Sequence, residues 1–172
     1  FLRQAAVYGL SRQTQRLKDI DLFNKTTGSQ RAGILEAMRW ANERQFPIDR
    51  PEMLKEALND QHDEVRIFAM RWIADLTLTD YLPQLKERLK SNSPTIRELP
   101  VLLSAIAWLE SGSVGGGKDI VQQRILVDII TDASQSAELR TIALRLIEPR
   151  SEQLKSEQLQ TMIDSPHLEL AK

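Results

Sequence analysis

Cysteine is absent from the 172-residue chain, which excludes disulfides, thiolate metal sites and a thiol nucleophile and leaves the compartment open. Aromatic residues are scarce at 5%, a balance that suits amphipathic helices better than a β-sandwich, where aromatic and β-branched side chains usually dominate the strands. There are only two histidines, His62 and His167. Neither has a second histidine at helical spacing, so a metal site would have to be assembled mostly from carboxylates of different segments. No serine–histidine–acid arrangement is legible, and both histidines read as polar residues of turns that precede helices. No charge predominates: 23 Lys and Arg against 24 Asp and Glu leave a net charge of −1. Nothing therefore draws the whole chain to nucleic acid or an anionic membrane, although a local basic face stays open. No apolar run approaches the ~18 residues of a membrane-spanning helix. The opening Phe1-Leu2-Arg3-Gln4-Ala5-Ala6 lacks an initiator Met and the apolar stretch of a signal peptide, and it points to a piece of a longer protein. The expectation is no catalytic residue, no cofactor, no metal and no membrane insertion.

What is present suits amphipathic helices. Hydrophobic residues make up 41% and charged residues 27%, an ordinary balance for one folded domain over residues 1–172. The tetrapeptide Ala37-Met38-Arg39-Trp40 returns as Ala69-Met70-Arg71-Trp72, 32 residues later, and a fixed period of this size is the signature of a repeat architecture. Around it a pattern recurs: Asp or Asn, a short polar turn, an apolar residue followed by Arg, and a small residue three later. Asp60 through Ala69 shows it in full, Asn92-Ser93-Pro94-Thr95-Ile96-Arg97 and Asp132 through Arg140 repeat it, and Leu2-Arg3 with Ala6 fits at the start. At the end Asp164 through Ala171 fits with Ala171 in place of Arg. Ala6, Ala37, Ala69, Pro100 and Ala143 as equivalents give spacings of 31, 32, 31 and 43. The long last step is absorbed by a glycine-rich loop insertion at 111–118. Arg31 lies one helical turn earlier than this frame requires.

Each unit divides into two helices. First helices are expected near 13–23, 50–59, 80–90, 119–132 and 151–163. Second helices are expected near 1–10, 29–44, 63–76, 95–110 and 136–148, with a start at 166. Leu82, Leu85 and Leu89 form one apolar face at i, i+3, i+7. Ser91-Asn92-Ser93-Pro94 and Asp164-Ser165-Pro166 offer capping side chains and Pro where helices should start. A hairpin this small cannot bury its apolar face alone, so stacking on neighbours supplies the core.

This pattern, with Tyr81-Leu82-Pro83-Gln84-Leu85 in a first helix, resembles HEAT repeats of the short bacterial kind. The resemblance implies an all-α, right-handed α-solenoid of stacked hairpins, about five repeats long. It further implies a ladder of Asp and Arg side chains fixing the stack: Asp60, Asn92, Asp132 and Asp164 with Arg3, Arg66, Arg97 and Arg140. The Trp-x-x-Leu-Gly-x-x-Tyr signature of tetratricopeptide repeats is not found. A narrower stretch, Val65-Arg66 through Tyr81 with Ser104 through Glu110, is similar to the helical middle of large exported bacterial proteins that join a quinoprotein-type propeller to a c-type haem module. That likeness would put the parent in the periplasm or outside the cell. The chain itself carries neither Cys-x-x-Cys-His nor a propeller pattern.

Three features invite a functional reading. Gly112-Ser-Val-Gly-Gly-Gly117-Lys118-Asp119 matches the spacing of a phosphate-binding loop, but a helix rather than a strand should precede it, and Asp119 stands where Ser or Thr would hold Mg²⁺. A flexible connection is the better account. Trp40 and Trp72, three after the small residue of the frame, should face the apolar side with Phe68 and Val65. Arg39, Arg71 and Arg145 each stand two after the small residue, about 200° round the helix and so away from the core. If second helices line the concave face, as the resemblance implies, this row is a contact for an anion or an acidic partner, interrupted by Leu102. The expectation is a non-catalytic scaffold or interaction segment that binds a protein partner or neighbouring domains of its own chain. The alternatives are a structural arm of an exported redox protein and, against the charge balance, a nucleic-acid-binding basic face.

Overall fold

The structure, a computed structural model, describes residues 2–13, 17, 20–43, 51–91, 94–112, 117–148 and 155. Among them every regular element is a helix and no strand occurs: α1 (Leu2–Ser11), α2 (Ile20–Asn24), α3 (Gly28–Glu43), α4 (Pro51–Leu58), α5 (Asp63–Asp75), a 3-10 turn (Thr79–Tyr81) running into α6 (Leu82–Lys90), α7 (Leu99–Ser111), α8 (Gly117–Thr131) and α9 (Ala137–Leu146). The class is all-α. The chain divides into two compact units, Phe1–Leu76 and Thr77–Lys172.

In the first unit α1 packs on α3, α3 on α5, and α4 on α5. Ala37, Ala41 and Ala69 are fully buried, beside Leu35, Met38, Met70 and Ile73. Small residues let the α3 and α5 backbones approach, while the longer side chains fill the space around them. The frame slips at α1, where Ala6 is exposed and burial falls on Val7 and Ser11, four residues apart on one face. Trp72 is buried and meets the Phe68 ring edge-on at 6.5 Å. Trp40 is only half-buried, and its ring meets that of Tyr8 edge-on at 6.4 Å. Only Trp72 therefore occupies the core as expected.

In the second unit α7 is held between two neighbours, α6 and α8, and α8 packs also on α9. That explains why α7 shows little polar face: Leu99, Leu102, Leu103 and Ile106 are all fully buried. Leu99 and Leu103 share a core with Leu126 and Ile130 of α8 and with Leu139 and Ile142 of α9.

The start of α7 departs from the expectation of a helix from residue 95, for a reason Pro100 supplies. Thr95 and Glu98 form a capping box: Thr95 Oγ1 accepts the Glu98 N–H at 3.2 Å, and Glu98 Oε2 accepts the Thr95 N–H at 3.3 Å. The Leu99 N–H then donates to the Thr95 carbonyl at 3.0 Å, a single helical turn. Pro100 has no N–H to return to Ile96 and fits only the first turn of a helix. Regular helix therefore begins at Leu99. At its other end Gly112 is left-handed (φ 67°), the usual glycine stop. Gly117 and Lys118 already belong to α8, so the inserted connection is shorter than 111–118, and its residues 113–116 lie outside the described residues. Ser136 caps α9, accepting the Leu139 N–H at 3.2 Å. Of the expected helix at 151–163 only Lys155 is described, and it is not helical. The start at 166 lies outside the described residues.

Candidate interaction surfaces

Of the residues of the expected Asp–Arg ladder, Asp60, Asp132, Arg66 and Arg140 have contacts as follows. Asp60 closes the turn between α4 and α5, with its carboxylate fully buried. Arg31 of α3 donates Nη1 to Asp60 Oδ2 at 2.5 Å, and Asp60 Oδ1 accepts the His62 backbone N–H at 2.8 Å while facing His62 Nδ1 at 3.0 Å. Arg31 also donates Nε to the Phe23 carbonyl at 3.0 Å and Nη2 to the Asn24 carbonyl at 3.1 Å, satisfying the end of α2. Arg66 reaches the same turn through its backbone, donating Nη1 to the Asp60 carbonyl at 2.6 Å. Burial pushes the Asp60 carboxyl up. The His62 N–H, the Arg31 guanidinium and the His62 ring outweigh that and hold it below the ordinary carboxylate value.

In the second unit Asp132 bonds within its own turn, accepting from Ser134 N at 2.9 Å, Ser134 Oγ at 2.7 Å and Gln135 Nε2 at 3.0 Å. These bonds lower its pKa, with the more distant charge of Arg140 a minor contributor. Arg140 itself donates Nε to the Ile130 carbonyl at 2.9 Å, at the end of α8. Arg97 is exposed. The buried ion pair here is instead Arg88 with Glu98, whose side chain is fully buried: Nε pairs with Oε1, and Nη2 donates to Oε2 at 3.0 Å. Neither residue was singled out from the sequence. The capping-box spacing Thr95-x-x-Glu98 was the available signal. Asn92, Asp164 and the side chain of Arg3 lie outside the described residues.

The arginine row is placed as follows. Arg39 is tied to Asp75 at 2.7 Å, so its charge is locally balanced. Arg71 is exposed on α5, and Arg145 is exposed on α9 in the other unit. The corresponding Leu102 is core, because α7 is covered on both sides.

A groove of about 300 Å³ opens in the second unit between α6 and α8, floored by α7. Leu89, Ile106, Ile125 and Ile129 give it an apolar base. Glu110 stands at one end, joined to Lys86 Nζ at 2.6 Å and to Arg124 Nη2 at 3.1 Å. Lys90 lines the α6 side and Asp128 the α8 side. Sequence reading missed this groove because its residues come from three helices, and its walls carry both signs of charge.

Among the described residues no His, Asp and Glu cluster could hold a metal ion, and no helix is long and apolar enough to cross a membrane. Comparison with protein-family models gives no match, and neither do comparisons with curated proteins and with solved structures.

Proposed function

We propose that this chain is a non-catalytic helical-repeat scaffold of HEAT type, an α-solenoid segment that presents helix faces to a protein partner or to neighbouring domains of its parent. The observation that carries this reading is the packing of the first unit. There α1, α3 and α5, which carry the repeated second-helix pattern, pack in succession, α1 on α3 and α3 on α5. Within that unit α3 is covered by α1 on one side and by α5 on the other, the neighbour-on-neighbour burial on which a repeat array depends. The Arg31–Asp60 pair supports it, since it joins α3 to the turn that starts the next second helix.

Arg71 in the first unit, and Lys90 and Arg145 in the second, are exposed on helices rather than on loops, so each unit offers a charged helix face for a contact. The test is chemical cross-linking in cells that express the full parent protein, with adducts mapped by mass spectrometry. Reproducible cross-links from Lys86, Lys90 or Lys55 to a distinct protein or domain are expected. Adducts confined to nucleic acid, or none at these lysines, would overturn the reading.

A further inference from the structure

We propose that the groove between α6 and α8 takes a short amphipathic helix of a partner protein, which sets an acidic side chain against Lys90 and a basic one against Asp128. This rests on the scaffold reading and names the partner chemistry at one surface. The apolar base is incomplete as it stands: Leu89 and Ile125 are only partly buried, although both pack on the core beneath. Along α8 the groove is lined from Arg124 to Ile129, five residues or about 7.5 Å, and it continues past the helix end to Asp132, a length that suits a short incoming helix. No sheet edge exists among the described residues to pair with an extended peptide. Helix-in-groove docking is the mode that apolar residues at i and i+4 on a wall can serve.

The charges fix the chemistry of the occupant. At one end Lys86 and Arg124 share the single carboxylate of Glu110 through the two ion pairs, which leaves a net charge of +1 there. At the other, Lys90 on α6 faces solvent. On the opposite wall Asp128 of α8 is exposed, with Asp132 just past the end of that helix, so this wall is acidic at the end where the α6 wall carries Lys90. A polyanion is disfavoured by the two carboxylates, and a uniformly basic or acidic helix would meet repulsion from one wall. A helix with one acidic and one basic edge meets none.

The test uses the full chain and three synthetic helical peptides of about 14 residues with the same apolar stripe. One has an acidic and a basic edge, one has two basic edges and one has two acidic edges. Titrations followed by amide chemical shifts should show the mixed peptide binding about tenfold tighter than either other, with shifts centred on Leu89, Ile125 and Ile129. Lys90→Glu, with its fold checked by circular dichroism, should transfer the preference to the basic-edged peptide. Equal affinities for all three peptides would overturn the charge assignment while leaving the scaffold reading intact. Shifts mapped to another surface, or no binding, would overturn the groove as the site. Self-association abolished by Ile125→Lys would show a second copy to be the occupant and would also overturn the proposal. The scaffold reading is tested separately, by the cross-linking experiment.

Discussion

Replacing Asp60 by Ala should be among the most damaging single changes in the first unit, out of proportion to the size of the side chain. The carboxylate is fully buried and accepts from Arg31 and from the His62 backbone. Removing one partner of a buried pair costs about 3–5 kcal/mol when the other is left wholly uncompensated. Arg31 would keep the Phe23 and Asn24 carbonyls, and its side chain is 22% exposed, so about 2–3 kcal/mol is the expected loss. Asp132→Ala, in an exposed turn, should cost much less. Urea unfolding followed by circular dichroism would compare the two, with the slope checked to be unchanged. Acid gives an independent reading. Because the folded pKa of Asp60 is lowered, its contribution is complete above the unfolded value near ~3.9 and is lost as pH falls through the folded one. Asp60→Asn should therefore flatten the loss of stability below about pH 4. If Asp60→Ala costs no more than Asp132→Ala, or the acid limb is unchanged in Asp60→Asn, the assigned role of Asp60 is wrong.

Gly112→Ala should destabilise by about 1 kcal/mol in urea unfolding, although open space surrounds the position, because φ 67° is costly for any side chain. Gly28→Ala should cost more than Gly112→Ala in the same assay. It combines φ 31° with a Cβ set 3.0 Å from the His62 ring, and His62 would have to leave Asp60. Pro100→Ala should restore the missing hydrogen bond to Ile96 and extend α7 back to Thr95, seen as helical chemical shifts at residues 96–98. Duplex DNA should bind weakly at physiological salt in an anisotropy titration. The Arg39, Arg71, Arg145 triple Ala variant should stay folded and change that little, given that Arg39 is already paired.

Much of the helix placement was legible because the apolar spacing is regular and the turns between helices are short and polar. Ala37 and Ala69, equivalent positions of the repeat frame, are both fully buried. The same frame misplaced α1, where Val7 rather than Ala6 is buried, because a weak match at one end of a repeat does not fix rotation about the helix axis. Pro100 was readable as the small residue of the frame but not as the break it imposes, which follows from hydrogen bonding rather than size. Pairing of side chains was the least legible part. Arg31, noted as out of frame, is the residue that meets the Asp60 carboxylate, because an arginine's length lets it cross to the next turn from a position the pattern does not mark. Arg88 and Glu98 are ten residues apart in sequence and belong to no repeated pattern. The groove depends on three helices whose spacing no single periodicity encodes.

The claim that the chain is built of equivalent repeating units can be tested by excising one of them. Because Ala37-Met38-Arg39-Trp40 and Ala69-Met70-Arg71-Trp72 are identical, deleting residues 38–69 rejoins Ala37 to Met70 and recreates the same four-residue junction. A repeat array loses one interface and stays folded, so this deletion should keep its helical circular dichroism and a cooperative, lower-melting transition. A deletion of residues 38–62, which breaks the period, should not. If both deletions unfold the protein alike, the units are not equivalent and the repeat account is contradicted.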